Sequence, residues 1–393
     1  MPQVEGEERL SGDPAVAERL ATIFRVSEAD HQVSISGIHG LHPYPGRMHP
    51  MWARRILEAT REKSVIMDPF CGGGTVAIEA RRMGHDALAS DINPIALRLA
   101  RLRTHAGPDL ELLQQHAERC AEKCTKRRTT PFSELASGEK RLPRHVLAGL
   151  ISLRDEIEHV DHPHIREVLL FAMSPLIDKF SSRADRPAPR VSKDAVPRHF
   201  LERVARWADA YRDMPDVPNS HVERADARWL PWRPGSVDIV ITSPPYPGVL
   251  DYVEAQSRRL RWLGRDASAR GASRKEIGKR SGNDDWAESM RPAFQQISRS
   301  THPESLVYMV VGDGVSRGRP VFTDRALQTV TRQLPLKFVA SVTQLRPHFH
   351  QQTSHAFARR PRGEHLILWR RTGTKQTGKG NRSTKHGRIN KHR

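Results

Sequence analysis

Apolar positions along the chain follow two rhythms, and their alternation predicts the architecture. SVIMD (64–68) is a short apolar run of strand length. A Gly-rich turn follows, then TVAIEARRM (75–83) with apolar residues at helical spacing. ALAS (87–90) predicts a second strand and PIALRLARLR (94–103) a second helix, with Gly84 stopping the first. Strand, helix, strand, helix at this spacing predicts a parallel sheet. The rhythm changes at residue 105. From there to 215 the sequence is rich in charge, His and Leu. HVLAGLISLRDEIEHV, HIREVLLFAMSPLIDKF and PRHFLERVARWADAYRD read as helices. The segment 105–215 therefore predicts a helical insertion, since a loop of that length without structure of its own is uncommon. The α/β pattern resumes at His221, with a strongly apolar strand at Val237–Thr242. SLVYMVVGDG predicts another buried strand, TDRALQTVTRQL a helix, and FVASVTQL with EHLILWRR the last two strands. Residues 1–36 read as a mixed, partly helical N-terminal extension. MWARRILEATRE is a helix with Trp52, Ile56 and Leu57 on one face.

Charge narrows the partner. The 393 residues hold 64 Lys or Arg against 45 Asp or Glu, a formal balance of +19. That predicts a polyanionic partner, nucleic acid before membrane. No apolar run approaches the roughly 20 residues that span a bilayer. MPQVEGEERL lacks the form of a signal peptide, and three cysteines do not make a disulfide framework, so a cytoplasmic protein is expected. The excess lies late in the chain. Residues 257–280 hold nine Lys or Arg and two acids, 346–371 six and one, and 372–393 seven and none. The last segment predicts a disordered basic tail.

The turn DPFCGGGT (68–75) ends a strand and opens a helix. Its glycines permit a sharp turn and close approach of a ligand at the strand's carboxyl end. The Gly-Lys-Ser/Thr ending of a phosphate loop and the G-x-G-x-x-G fingerprint are both absent. A nucleoside without a phosphate chain remains. Asp68 would repel phosphate and attract an ammonium group, while Asp91, just after the second strand, can accept from both ribose hydroxyls. S-adenosylmethionine has both groups. The alternative is a tight turn with two ordinary acidic loop residues.

TSPPYPG (242–248) ends the strand Val237–Thr242. Consecutive prolines cannot extend a central strand, so they stiffen a loop at the carboxyl edge. The Ser243 side chain or the Pro244 carbonyl can accept from an exocyclic amine and free its lone pair. Tyr246 offers a face for stacking a base swung out of its helix. The alternative is a stiff turn with a buried tyrosine.

The chain resembles the S-adenosylmethionine-dependent amino-group DNA methyltransferases, especially the cytosine-N4 type. The resemblance rests on HPYPGRMHP (42–50), DPFCGGGT, SDINP (90–94), RADARWLP (224–231) and TSPPY, and covers about 37–104 and 221–371. It implies a Rossmann-like class I fold: a mostly parallel seven-stranded sheet with a final antiparallel hairpin, here carrying the helical insertion. It implies that His42, Tyr44, Pro45, Asp68, Phe70, Gly72, Gly74 and Thr75 hold the methionine moiety. Asp91 would hold the ribose, and Asp226 would lie near the adenine amine. Ser243, Pro244, Pro245 and Tyr246 would be catalytic. Ser rather than Asp or Asn before the prolines leans toward cytosine N4 over adenine N6. Cys71, Cys120 and Cys124 lack the Pro-Cys context of a cytosine-C5 enzyme. RNA base amines are the alternative substrate, and an inactive nucleic-acid-binding protein of the same fold is the alternative class. Ser243 and the basic charge argue against a protein-glutamine substrate. The expected partner is DNA, with phosphate contacts from Arg258, Arg259, Arg261 and the tail. The resemblance also raises a cognate restriction endonuclease, and a monomer is the default.

Two other constellations read as bland. His116, Cys120 and Cys124 share a helix face with zinc-like spacing but no fourth ligand, so a plain helix is expected and no metal. His348, His350 and His355 read as a substrate-facing loop or solvated histidines.

Overall fold

The computed structural model describes residues 7–60, 62–126, 139, 141–182, 185–214, 220–264, 268–279, 285–316, 318–346, 356–357 and 361–373. The histidines at 348, 350 and 355, and the tail from 374, lie outside the described residues.

Five parallel strands form the centre: β2 (Val65–Asp68), β3 (Asp86–Asp91), β4 (Ser220–Arg224), β5 (Val237–Thr242) and β6 (Thr301–Gly312). They lie in the order β6-β5-β2-β3-β4, the doubly wound arrangement in which the strand order reverses beside β2. The chain then closes with β9 (Leu336–Arg346) and β10 (Arg362–Arg371), an antiparallel pair with β10 seated between β9 and β6. This is the expected Rossmann-like methyltransferase sheet with its terminal hairpin. A separate ribbon, β7 (Gly314–Ser316) and β8 (Arg319–Val321), lies outside it.

The strands alternate between two cores. Ile66, Ile239, Ile241 and Leu366 face one side with Phe24, Trp52 and Ile56. Met67, Val240 and Ile367 face the other with Trp286, Phe294 and Trp369. Side chains at successive strand positions point to opposite faces, so strands apolar throughout must be covered on both. Helices α1 (Pro14–Phe24), α3 (Pro50–Glu58) and α4 (Thr75–Arg82) cover the first, and α13 (Trp286–Ser300) and α14 (Thr323–Thr331) the second.

The sheet has eight strands, not the seven expected. β1 (Glu8–Gly12) from the N-terminal extension pairs antiparallel with β9, with Leu10 opposite Val342. ERLSG carries no apolar alternation because four of its five side chains are exposed, so nothing in its pattern announces a strand. Arg25 pairs with Glu8 at 2.7 Å, and the Trp52 indole donates to Phe24 O at 2.9 Å. The extension is thus built into the domain.

The insertion is helical as expected: α6 (Leu110–Lys126), α7 (Arg144–Glu158), α8 (Pro163–Lys179) and α9 (Ala195–Arg212). Its core includes Phe171, Phe200 and Trp207. It is continuous with Leu41 and Tyr44 of the Pro-rich loop and with Leu99 of α5 (Pro94–Thr104). Cys120 and Cys124 are buried in that core, and Cys124 Sγ donates to Gly149 O at 3.2 Å.

Candidate active site

A cleft opens at the carboxyl ends of β2, β3, β4 and β5, beside the point where strand order reverses. Of the residues expected at the site, it is lined by Tyr44, Phe70, Gly72, Asp91, Asp226, Ser243 and Pro245.

The turn after β2 sets the floor. Gly72 has φ +47°, and a Cβ there would lie 3.1 Å from the Tyr44 ring, so only glycine lets the backbone pass under it. Gly74, at φ +84°, starts α4 where a Cβ would press on the Ala100 backbone at 3.1 Å. Its role is packing α4 against α5. Buried Thr75 opens α4 and does not reach the cleft. Asp91 ties the turn to β3: Oδ2 accepts from Gly72 N at 2.9 Å and Oδ1 from Asn93 N at 2.8 Å. Burial raises its pKa, while these amide donors oppose the rise. Asn93 caps α5 through Ile95 N and donates from Nδ2 to the Tyr44 hydroxyl at 3.2 Å.

Asp68 is not at the cleft wall. Its Oδ1 accepts from Thr242 Oγ1 at 2.6 Å and Phe70 N at 3.1 Å, and burial raises its pKa to about 7. It links the Gly-rich turn to the end of β5. His42 is likewise displaced from its expected role. It is fully buried, with Nε2 at 2.8 Å from Ser174 Oγ of the insertion, and burial holds its pKa well below the usual range. Pro45 is also off the wall. The loop of residues 39–42 is drawn to the turn by Arg103, a fully buried guanidinium. It donates to Gly73 O at 3.2 Å and His42 O at 3.0 Å, and desolvation lowers its pKa to about 9.

The SPPY loop is clamped. Trp286 Nε1 donates to Pro245 O at 2.9 Å, Val315 N to Pro247 O at 2.9 Å, and Gly248 N to Gly278 O at 2.9 Å. Ser243 and Pro245 face the cleft, while Pro244 and Tyr246 do not. The Tyr246 ring lies on Gly312, where a Cβ would come within 2.6 Å of Cε2. Its hydroxyl donates to Glu364 Oε1 at 2.8 Å, and Arg346 holds Oε2 at 2.9 Å. The Tyr246 ring thus sits between Ser243 on the cleft wall and the ends of β6 and β10.

Asp226 pairs with Arg228 (Nη2 to Oδ2, 2.7 Å), and Arg228 also donates to Lys275 O at 2.9 Å. Tyr252, Lys275 and Glu276 complete the wall and were not anticipated, because they lie in a stretch whose sequence reads only as helical and basic. Glu276 accepts from Tyr252 N at 2.5 Å, and burial raises its pKa to about 7.

The donor set fits S-adenosylmethionine. The lining offers three carboxylates, Asp91, Asp226 and Glu276, against one cation, Lys275, with Phe70, Ile92, Val253 and Ile277 as apolar surface. Such a wall suits a cationic nucleoside and opposes a polyphosphate.

Arg258, Arg259 and Arg261 were expected to meet phosphate. Arg258 and Arg259 are instead engaged within the chain, Arg258 with buried Glu139 at 2.6 Å and Arg259 with Asp178 at 2.5 Å. Arg261 lies 3.7 Å from Glu139 and keeps half of its side chain exposed. No helix among the described residues is long and apolar enough to cross a membrane.

Residues 42–130 match the family UPF0020, described as an RMKL-like methyltransferase domain. The Type II methyltransferase M.MvaI of Kocuria varians is 24% identical over 241 residues, 53% of each chain. The Type II methyltransferase M.MjaII of Methanocaldococcus jannaschii is 31% identical over 67 residues, 17% of this chain and 13% of that one. The matched regions thus span about half or less of those relatives. Among solved structures, TrmN from Thermus thermophilus aligns with 83% of this chain and 50% of its own at 12% identity and TM-score 0.35. The rRNA methyltransferase aviRa from Streptomyces viridochromogenes aligns with 88% and 93% at 14% identity and TM-score 0.33. Residues 42–130, which carry the Gly-rich turn, are thus similar to a methyltransferase domain, and S-adenosylmethionine is the cofactor that this similarity and the donor set of the cleft support.

Proposed function

We propose that the protein transfers a methyl group to an exocyclic base amine of nucleic acid, and that its substrate is cytosine N4 in DNA. One observation carries this reading. The Ser243–Tyr246 loop is held rigid at the end of β5, with Ser243 on the wall of the cofactor cleft. The similarity to two Type II methyltransferases supports it.

The cofactor supplies an electrophilic methyl on its sulfonium. The chain supplies position. Asp91 accepts from the ribose. Ser243 Oγ and the Pro244 carbonyl accept the amine's hydrogens, which withdraws the nitrogen lone pair from the ring and points it into the cleft. A flipped base then enters beside Ser243 of the SPPY loop. The basic tail adds phosphate attraction that is independent of sequence. A cognate endonuclease accords with a Type II role.

Nucleoside mass spectrometry after incubation with DNA and RNA tests the proposal. N4-methylcytosine in DNA is expected. N6-methyladenine, or product only in RNA, would replace the substrate. No methylated base in either, with cofactor bound, would leave the inactive binding protein as the reading.

A further inference from the structure

The insertion's role follows from what it holds. One stripe of α8 carries Ser174 and Asp178, four residues apart, with Ser181 just beyond the helix end. Ser174 Oγ meets buried His42 at 2.8 Å. From α9, Arg203 donates to both Ala172 O and Leu41 O, so residues 41–42 are fixed to two helices of the insertion. One residue further, Pro43 O accepts from Arg259 Nη1 at 3.1 Å, and the other end of that guanidinium meets Asp178 Oδ2 at 2.5 Å. Arg258 binds Asp178 Oδ1 at 3.2 Å and Ser181 Oγ at 2.6 Å. Both arginines belong to α11 (Ser257–Trp262), which follows Tyr252 and Val253 in the chain.

The two segments so held are walls of the cleft. The loop carries Tyr44 and Gly46, and the second segment carries Tyr252 and Val253. They also touch each other: a Cβ on Gly46 would lie 2.7 Å from the Tyr252 ring. We infer that the insertion is a clamp that sets the position of both walls, with Ser174 and Asp178 as positioning residues for cofactor binding. This rests on the cleft being the cofactor site.

The test is calorimetry of S-adenosylmethionine with the full chain, well below each variant's melting temperature. Ser174→Ala strands the buried His42 nitrogen, and Asp178→Ala frees two guanidinium ends without emptying a core site. Each is expected to raise the cofactor Kd by about tenfold. Asp178→Glu keeps a carboxylate for both guanidiniums and should recover most of the affinity. Wild-type Kd in both single alanine variants overturns the inference. An Asp178→Glu variant as weak as Asp178→Ala overturns the positional role. If the wild-type chain binds no cofactor, the site assignment itself falls, and the clamp with it.

Discussion

Replacing Asp91 with asparagine separates the two tasks of that carboxylate. Each oxygen now accepts one backbone amide, Gly72 N at 2.9 Å and Asn93 N at 2.8 Å. An asparagine offers one oxygen and one amino group, so either way one amide faces a second donor. A buried donor left unsatisfied costs about 1–3 kcal/mol. Against that, the substitution removes a charge whose burial already raises its pKa, which offsets part of the loss. The net stability loss should stay below about 2 kcal/mol, a fall in Tm of under roughly 3 °C for a chain of 393 residues. The cofactor suffers more directly. A hydrogen bond from ribose to a charged acceptor contributes about 1.5–3 kcal/mol, so Kd should rise about 10- to 200-fold. Calorimetry and thermal unfolding on the same preparation give both numbers. A Kd within threefold of wild type would refute the ribose role. A Tm loss far beyond the limit, with Kd unchanged, would make Asp91 a purely structural tie.

Tyr246→Phe removes the hydroxyl held by Glu364 and should slow methyl transfer about tenfold with cofactor Kd unchanged; an equal fall in cofactor affinity would argue against a substrate-side role. Glu276 binds its proton more tightly folded than unfolded, with pKa raised from 4.5 to about 7. Its contribution therefore favours the fold at low pH and is lost as pH rises from about 4.5 through 7. Glu276→Gln should flatten the decline in Tm between pH 5 and pH 8 by on the order of 2 kcal/mol of stability, and an unchanged profile would show that Glu276 titrates normally. Arg258→Gln should lower Tm and leave the salt slope of nucleic-acid binding intact, because that guanidinium is bound to Glu139. Deleting residues 372–393 should do the reverse, and equal slopes for tail-less and full chains would remove the tail from the interface.

The parts of the fold that are buried on both faces were legible. VIM in the first strand and IVI in the second are apolar runs, and DPFCGGGT and TSPPY mark where each strand leaves the sheet. Asp91 and Ser243 could be read from their places at the ends of sheet strands, whereas Asp226, after the polar strand SHVER, could be read only from the resemblance of RADARWLP. What could not be read depends on distant pairing. Nothing near His42 announces Ser174, 132 residues away, and nothing in SRRLRW separates arginines that meet phosphate from arginines that meet Glu139. Tyr246 shows the same limit. Its motif locates the loop, but the direction of the ring is decided by Gly312 and Glu364, which come from two other strands.

The pairing of β1 with β9 has a consequence for how the chain is made. Glu8 lies opposite Gln344, so β1 must wait until synthesis has advanced 336 positions before its partner exists. β2 and β3 wait as well, since β5 and β4 follow the insertion. The insertion, rich in local helical contacts, can collapse during that interval and hold the first half compact. Placement of β1 is then the closing event of assembly. Until it occurs, β9 presents an open edge to other nascent chains, and a chain that lost its first twelve residues would keep that edge open for its lifetime.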